Sequence, residues 1–549
     1  MGPSRRGMQD VVLVEAGAQD VVLGETSTVA DPSGQPDPGT PGPEPASRPG
    51  AARGWRPRSR WWWTAIAGTA ILVVAGTVVT NVRESRRMSA LAGVPGILAP
   101  LDGPLTETWR TGDVMIAGVS GFAGRLLVTE IAPDGRVDVV AREPETGEEA
   151  WRVVASPAPD PEATLNGTFL SGNSSTCTLP QVPPTATAAA RSRPVEDAAT
   201  GVVACVVVDE TSTWTDDAFG ESIFPVRAHL LMIDAITGDV LSERPTDPTT
   251  SVALLGSEVV TARFDEAGHL EVTCGDALGT TSRWTFTSPD PVGEQDVGQR
   301  SLWVWSVEGR LVVNALSNAM SAGGGYTNST SWLLSADGDV LRSQTDPMGG
   351  GFNLLAGGSM IAESTMTAAG EATTTITDVA SGREVTVDAF PAGSTPDDGS
   401  LPGVLLLQSA DNETLIGYDL AADRARWEAP GAGPGGSIST LIIDGRIVRS
   451  DQKGLTAIDG RTGETVWTTP LTAEMGSIAT DGRLVLVAQN SSTDGEGQVL
   501  TAYGLDDGRK RWETPLPGKL WLMAVDGRLY GQLYGELYGQ SGNKLVALG

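Results

Sequence analysis

A short block centred on one glycine recurs along most of this chain. It reads REPETGEEAW around Gly147, IDAITGDVLS around Gly238, TDVASGREVT around Gly382, IDGRTGETVW around Gly463 and GLDDGRKRW around Gly508. Weaker copies carry Gly338 or Asp423 in the glycine position. From Gly338 onward the copies are 44, 41, 40 and 45 residues apart, the length of one four-stranded propeller blade. The spacing therefore predicts an all-β propeller.

Each recurring position of the block has a structural explanation. The glycine supplies the positive φ of a tight turn. A carboxylate four residues earlier is expected to accept backbone N–H bonds across the turn, and this position holds Glu143, Asp234, Asp378, Asp419 and Asp459. A tryptophan four residues later falls on the next strand, where its ring packs between blades; this position holds Trp151, Trp427, Trp467 and Trp512. We therefore predict that these tryptophans belong to the core and not to a cofactor site.

A second turn and the two ends of the repeat array complete the predicted unit. The triplet DGR at 444–446, 481–483 and 526–528 lies between alternating apolar runs, which is typical of a hairpin. One unit is thus strand, DGR turn, strand, loop, strand, glycine turn and strand, all antiparallel. KLVALG at 544–549 matches a third strand, and LTETWRT around Trp109 matches a fourth. We predict that these two segments complete one blade jointly, which removes the open edges of the array.

The repeats resemble those of a known superfamily. The pattern in LTAIDGRTGETVW (455–467) and LTAYGLDDGRKRW (500–512) is similar to the tryptophan-docking repeat of the pyrroloquinoline-quinone-like β-propellers. The resemblance covers about residues 105–549 and implies seven or eight blades. Counting last strands gives up to nine candidates, including one with Trp284. We predict about eight four-stranded blades, because one weak unit within residues 155–300 is not counted as a separate blade.

The resemblance implies either quinone chemistry or a scaffold. Quinoprotein dehydrogenases of this superfamily hold pyrroloquinoline quinone (PQQ) at the propeller axis near a vicinal disulfide, with Ca²⁺ and an aspartate base. Other members, such as the outer-membrane assembly lipoprotein, keep the repeats and bind no quinone. Here Cys177, Cys205 and Cys274 are far apart. We therefore expect neither PQQ nor Ca²⁺, and assign no catalytic, cofactor-binding or metal-ligating residue.

Histidine and tyrosine give little support for a reactive site. The chain has two histidines, His229 and His269, so mechanisms that need several imidazoles are excluded. Neither lies near a GxSxG nucleophile elbow, and both are interpreted as structural or solvated. Tyr530, Tyr534 and Tyr538 in LYGQLYGELYGQ are either a duplicated loop or an aromatic lip for carbohydrate or protein contact.

The cysteines allow one disulfide. On the outer side of a membrane, Cys177 and Cys205 can form a disulfide that closes the irregular stretch 156–200. Cys274, in the predicted strand HLEVTC, is then a buried thiol.

The first hundred residues predict an anchor. Residues 61–82 are free of charge, and a helix of that length reaches about 33 Å, enough to cross a bilayer. Residues 1–60 form a Pro/Gly-rich disordered tail, and residues 83–104 form a stalk before the propeller at 105–549. The sequence QDVVL occurs in the tail at 9–13 and again at 19–23, and is either a docking motif or a duplication without a role. More arginines precede the helix than follow it, which predicts a cytoplasmic N-terminus and an extracytoplasmic propeller.

The charge excludes one class of partner. Lys and Arg number 38 against 68 Asp and Glu, giving a net charge of −30, so a basic nucleic-acid-binding surface is not expected. The sequence favours a membrane-anchored, non-enzymatic scaffold that binds a protein or cell-envelope ligand. The alternatives are a PQQ- or metal-dependent membrane-anchored oxidoreductase and a transmembrane sensor with a cytoplasmic docking tail.

Overall fold

Two units, Met1–Val74 and Ala75–Gly549, divide the chain in the computed structural model, and every residue described below belongs to the second. The described residues are 87–91, 94–158, 175–180, 201–216, 220–292, 300–307, 309–317, 329–346, 352–355, 360–366, 372–379, 381–393, 396–433, 439–451, 454–471, 475–490, 497–533 and 544–549. Residues 87–91 are helical, and in these ranges no helix is long and apolar enough to cross a membrane. The predicted tail at 1–60 and transmembrane helix at 61–82 lie outside the described residues.

Four-stranded antiparallel sheets, nine in the described residues, form the blades of a propeller. Blades 1 to 3 consist of β2 (Met115–Phe122), β3 (Arg125–Ile131), β4 (Val137–Arg142) and β5 (Glu149–Ser156); β6 (Thr176–Thr178), β7 (Val202–Asp216), β8 (Gly220–Asp234) and β9 (Val240–Thr246); and β10 (Ser251–Leu255), β11 (Glu258–Phe264), β12 (Leu270–Gly275) and β13 (Ser282–Thr287). Blades 4 to 6 consist of β14 (Arg300–Val307), β15 (Arg310–Ser317), β16 (Ser329–Leu334) and β17 (Val340–Asp346); β18 (Phe352–Leu355), β19 (Met360–Met366), β20 (Ala372–Asp378) and β21 (Glu384–Val387); and β22 (Phe390–Pro391), β23 (Val404–Gln408), β24 (Thr414–Asp419) and β25 (Arg424–Pro430).

The last three blades follow the same order. Blades 7 and 8 consist of β26 (Ser439–Ile443), β27 (Arg446–Asp451), β28 (Gly454–Asp459) and β29 (Thr465–Pro470); and β30 (Met475–Thr480), β31 (Leu484–Asn490), β32 (Gln498–Gly504) and β33 (Lys510–Leu516). Blade 9 is made of β34 (Leu520–Val525), β35 (Arg528–Leu533), β36 (Leu545–Leu548) and, from the other end of the chain, β1 (Glu107–Arg110). Trp109 pairs with Ala547 in this sheet, which confirms the predicted joint blade.

The predicted number of eight blades is wrong, because residues 155–300 form two blades. The last of the strands in blade 3 carries Trp284, and its turn keeps the eight-residue interval from carboxylate to tryptophan, from Asp276 to Trp284, that Asp459 and Trp467 show. The glycine, Gly279, is displaced by one position within that interval. The unit that the sequence analysis left uncounted within this stretch is therefore a complete blade.

The core is divided among the boundaries between blades, which we call seams. Each of nine clusters of buried side chains in the described residues joins two neighbouring blades. One cluster joins blade 9 to blade 1 through Trp109, Val128 and Tyr530, so the ring is closed by apolar packing as well as by strand pairing. The first strands of several neighbouring blades contact one another, which makes them the innermost strands around the axis.

Candidate functional site

The repeat tryptophans join neighbouring blades, as predicted. The indole of Trp467 lies over Gly508 of the next blade, and its Nε1 donates a hydrogen bond to Leu505 O at 2.9 Å. A Cβ at Gly508, whose φ is 64°, would lie 2.5 Å from the ring. The same contact joins Trp109 to Gly147, Trp151 to Gly238, Trp284 to Gly338 and Trp427 to Gly463. Trp512 instead packs against the apolar cluster between blades 8 and 9.

The turn carboxylates hold these glycine turns. Asp459 Oδ1 accepts the backbone N–H groups of Arg461 and Thr462 at 2.9 and 3.0 Å. Asp234, Asp378 and Asp419 accept equivalent bonds, whereas the carboxylate of Glu143 lies 3.9 Å from Arg125. The Ala422 N–H and the Arg426 guanidinium lower the pKa of Asp419 below its ordinary value. These acids are occupied by structural bonds.

The segment 94–101, together with the helical residues 87–91, packs on one end of the ring. Arg87 Nη2 donates to Gly482 O at 2.7 Å, Leu101 N donates to Asp481 Oδ2 at 2.9 Å, and Ala99 N donates to Gly527 O at 2.7 Å. These acceptors lie in the DGR turns of blades 8 and 9, so we call this end the turn face and the segment 87–101 the clamp. The described part of the predicted stalk is thus fixed to the propeller.

An extended hairpin rises from the opposite end, the loop face. Strands β7 and β8 remain paired from Val202 and Asp234 to Asp216 and Gly220. Their inner part is flanked by β6, which pairs only with residues 204–206, and by β9, which pairs only with residues 228–233. Residues 209–216 and 220–227, which we call the arm, therefore project as a two-stranded ribbon, with no described strand along either edge. The sequence analysis did not predict this extension, because no turn signal marks the point where β7 and β8 continue past their neighbours.

Exposed tryptophans lie on the innermost strands. Trp303 and Trp305 on β14 are 47% and 38% exposed, and Trp521 on β34 is 51% exposed. The intervening Leu302 and Val304 are buried between blades 3 and 4. Sequence reasoning missed these residues because it assigned tryptophan to the core. The alternation in RSLWVWSV, which places both indoles on one face of the strand, is the signal that could have found them.

The cysteines have the predicted arrangement. Cys177 and Cys205 face each other in the β6–β7 register and form a disulfide. Cys274 is a buried free thiol, and burial, reinforced by neighbouring Glu258, raises its pKa to about 12.

Both histidines have structural partners. His229 Nδ1 lies 2.8 Å from Asp209 Oδ1 at the base of the arm, and its Nε2 lies 3.7 Å from Glu243. His269 Nδ1 donates to Ser288 O at 2.9 Å. These contacts agree with the interpretation of both residues as structural.

The hypothesis of an aromatic lip is wrong for Tyr530. Its side chain is 1% exposed in the core, where its ring centroid lies 6.0 Å from that of Trp109. Burial raises the pKa of its hydroxyl to about 12. Tyr534 and Tyr538 lie outside the described residues.

Two features of a quinoprotein centre, a vicinal disulfide and a cluster of metal ligands, are not seen in the described residues. The disulfide joins residues 28 positions apart on two strands and is not a vicinal pair. Within the part of the chain that the structure describes, no group of three or more His, Cys, Asp or Glu side chains is arranged to hold a metal ion.

Comparison with known proteins supports the repeat assignment. The family described as outer membrane protein assembly factor BamB matches residues 370–527. No curated protein sequence matches the chain. The PQQ-like repeat is therefore present, and the predicted resemblance to that superfamily is confirmed.

Solved structures resemble the chain only distantly. BamB from Moraxella catarrhalis is 12% identical, covers 81% of this chain and 99% of its own, and has a TM-score of 0.37. Quinohemoprotein alcohol dehydrogenase from Comamonas testosteroni is 13% identical, with 84% and 79% coverage and a TM-score of 0.38.

Proposed function

We propose that this chain, built from PQQ-like repeats, is a non-catalytic binding module that captures a protein or cell-envelope partner on its loop face. The arm is the observation that carries the proposal. A two-stranded ribbon is marginally stable alone in water, and both of its edges present backbone N–H and C=O groups. Such edges bind a partner by adding a strand, so residues 209–227 are suited to protein recognition.

The clamp bears on how the propeller is anchored. Residues 87–91 and 94–101 are bonded to the turn face, so the chain enters the propeller at that face. We propose that the apolar segment 61–82 is a membrane anchor and that the propeller is extracytoplasmic. The disulfide between Cys177 and Cys205 supports an oxidising compartment.

The similarity to BamB supports a scaffold role over an enzymatic one. That family is described as an outer membrane protein assembly factor, and its match spans residues 370–527. The placed carboxylates, among them Asp234, Asp378, Asp419 and Asp459, are engaged in turns and leave no assigned general base. A protein that presents rigid loops on a closed ring fits capture better than catalysis.

Site-specific crosslinking tests this proposal on the two faces of one molecule. A photoreactive residue replaces Val226, on the arm, or Leu278, in a turn on the turn face; both side chains are 54% exposed. We expect a discrete crosslinked partner in intact cells from position 226 and not from position 278. A probe at Arg227, at the base of the arm, should form an adduct with the same partner. Replacing residues 211–224 with a short turn should abolish that adduct.

Two results would contradict the proposal. A partner adduct from Leu278 alone would place recognition on the wrong face, and absence of adducts from both positions would remove the arm as a binding element. Dye-linked alcohol oxidation by the purified full-length chain supplied with PQQ and Ca²⁺ would contradict the non-catalytic role.

A further inference from the structure

The seam between blades 4 and 5 differs from the seams that a repeat tryptophan closes. The position four residues after Gly338 holds Arg342 instead of tryptophan, and a Cβ at Gly382 of the next blade would meet no atom within 4 Å. Arg342 instead forms ion pairs with Glu363 and Glu384 across the seam. The apolar cluster here is the smallest of those in the described residues, with four buried members: Val312, Leu333, Phe352 and Ile361. This seam is therefore closed by ion pairs and by fewer buried apolar side chains than the other seams.

A row of polar side chains crosses blade 4 on the face that meets this seam. Trp303 lies opposite Asn314, Asn314 opposite Ser331, and Ser331 opposite Gln344. Directly opposed residues of antiparallel strands point to the same face. Val312 and Leu333, two positions along their strands, contact Phe352 of blade 5, so the row faces blade 5 too.

Three buried oxygen atoms in this row have no hydrogen-bond partner. They are Asn314 Oδ1, Ser331 Oγ and Gln344 Oε1, and the Ser331 residue is 1% exposed. An unpaired buried polar atom costs about 1–3 kcal/mol, and native proteins leave few of them. The three unpaired oxygen atoms lie in a single row that begins at the exposed indole of Trp303 near the axis. This arrangement indicates a binding site for a polar ligand.

We propose that the seam between blades 4 and 5 binds a neutral saccharide. Hydroxyl groups both donate and accept hydrogen bonds, so they match a row of amide and hydroxyl groups in either amide orientation. The exposed indole of Trp303 offers a flat apolar surface for the C–H face of a sugar ring. Four strands at about 4.8 Å spacing give a row about 14 Å long, which suits a di- or trisaccharide.

Charge disfavours the other small ligands. Arg342 is the cation placed at the seam, and the carboxylates of Glu363 and Glu384 neutralise it. A phosphate or other anion would meet this excess of negative charge as well as the net charge of −30 on the whole chain. The three unpaired atoms of the row are amide and hydroxyl oxygens, and the Glu363 carboxylate at the same seam is paired with Arg342, which favours a neutral ligand over a cation.

Titration of the purified full-length chain with chitotriose, cellotriose and maltotriose tests the proposal by calorimetry. We expect at least one to bind, and Trp303→Ala to weaken that binding about tenfold or more. Ser331→Ala should weaken it about three- to tenfold, the value of one hydrogen bond. Trp521→Ala is the matched control, because it removes an equally exposed indole from an innermost strand of another blade, and it should leave affinity within about twofold.

The proposal is independent of the arm, so the two can fail separately. Saccharide binding should persist in the variant that lacks residues 211–224, whatever happens to partner crosslinking. Absence of binding by all three trisaccharides at millimolar concentration would overturn the saccharide site. Equal losses in Trp303→Ala and Trp521→Ala, or unchanged binding in Trp303→Ala, would also overturn it. Thermal unfolding of each variant at or above the wild-type temperature shows that the fold is intact; Ser331→Ala should raise that temperature, because it removes an unpaired buried oxygen.

Discussion

The indole of Trp109 lies on Gly147 in the neighbouring blade and donates a hydrogen bond from Nε1 to Pro144 O at 3.0 Å. Trp109 belongs to the strand that closes the ring, so the contact repeated between other blades also joins the two ends of the array. In each such contact, the glycine turn of one blade is the packing surface for the tryptophan of the preceding blade. The stability of the turn and that of the ring are therefore linked.

Replacing Gly147 by alanine should destabilise the protein more than replacing Gly382. Both glycines have positive φ, 70° and 68°, so each alanine costs about 1–2 kcal/mol of backbone strain. A Cβ at Gly147 would also lie 2.5 Å from Trp109, adding about 1–3 kcal/mol of overpacking. Denaturant unfolding of Gly147→Ala and Gly382→Ala measures the difference. Equal losses would show that the tryptophan contact contributes nothing.

Trp109→Ala should open the closing blade before the rest of the ring. Removal of a buried tryptophan costs about 3–5 kcal/mol, and Trp109 is 9% exposed against Tyr530. Hydrogen–deuterium exchange should rise first in β1 and β36, while blades 6 and 7 keep their protection. Trp521→Ala is the control and should leave exchange in β36 unchanged. Uniformly faster exchange in all blades would contradict local opening.

Asp419→Asn should destabilise the protein at neutral pH and have no effect in acid. The pKa of Asp419 is lowered by the Ala422 N–H and by Arg426, so its ionised form stabilises the folded state above the unfolded pKa. That contribution is lost as the pH falls through the folded pKa, where the wild-type side chain also becomes neutral. Thermal unfolding at pH 7 and near pH 2 measures this effect. A pH-independent difference would contradict it.

Cys274 should resist alkylation in the folded protein. Burial raises the pKa of its thiol to about 12, so little reactive thiolate forms at pH 8 to 9. Because the folded pKa is raised, its contribution to stability is complete below the unfolded pKa near 9 and falls as the pH rises towards 12. Iodoacetamide labelling with and without denaturant measures the protection. Rapid labelling of the native protein would show that the thiol is accessible.

Loss of the disulfide should destabilise blade 2. Cys177 and Cys205 close a loop with a sequence separation of 28, which corresponds to about 3.6 kcal/mol in the chain-entropy account. The variant Cys177→Ser with Cys205→Ser should unfold at lower denaturant concentration than wild type. Peptide mapping without reductant should recover the linked 177–205 pair and a free Cys274. A map with Cys274 in the disulfide would contradict the assignment.

Local turn chemistry explains what the sequence predicted well. The glycine turns follow from backbone geometry, because a positive φ favours Gly147, Gly238 and Gly463 over other residues. The role of Trp467 followed from its fixed distance to that turn, and the joint blade from the pattern of KLVALG. These features depend on residues close in sequence or on one repeated unit.

Features that arise between units were not predictable from the repeat. The proposed site at the seam between blades 4 and 5 depends on Arg342, which occupies the position of the repeat tryptophan. It also depends on three opposed side chains from separate strands. The arm depends on β7 and β8 continuing past their neighbours, which no turn signal marks. Tyr530 was misjudged because its neighbours repeat, although its own position on β35 faces the core.

The protein can complete its fold only after β1 pairs with β36. Glu107 and Leu548 are partners, yet nearly the whole of the sequence separates them. Contacts at such separation form slowly because a long loop must close first. During synthesis all strands of blades 1 to 8 are made before β36. Until β36 pairs, the ring is not closed, and the blades at its two ends each have one unpacked face. A chaperone that shields those faces would act on this interval, and a stall in translation near the last strand would prolong it.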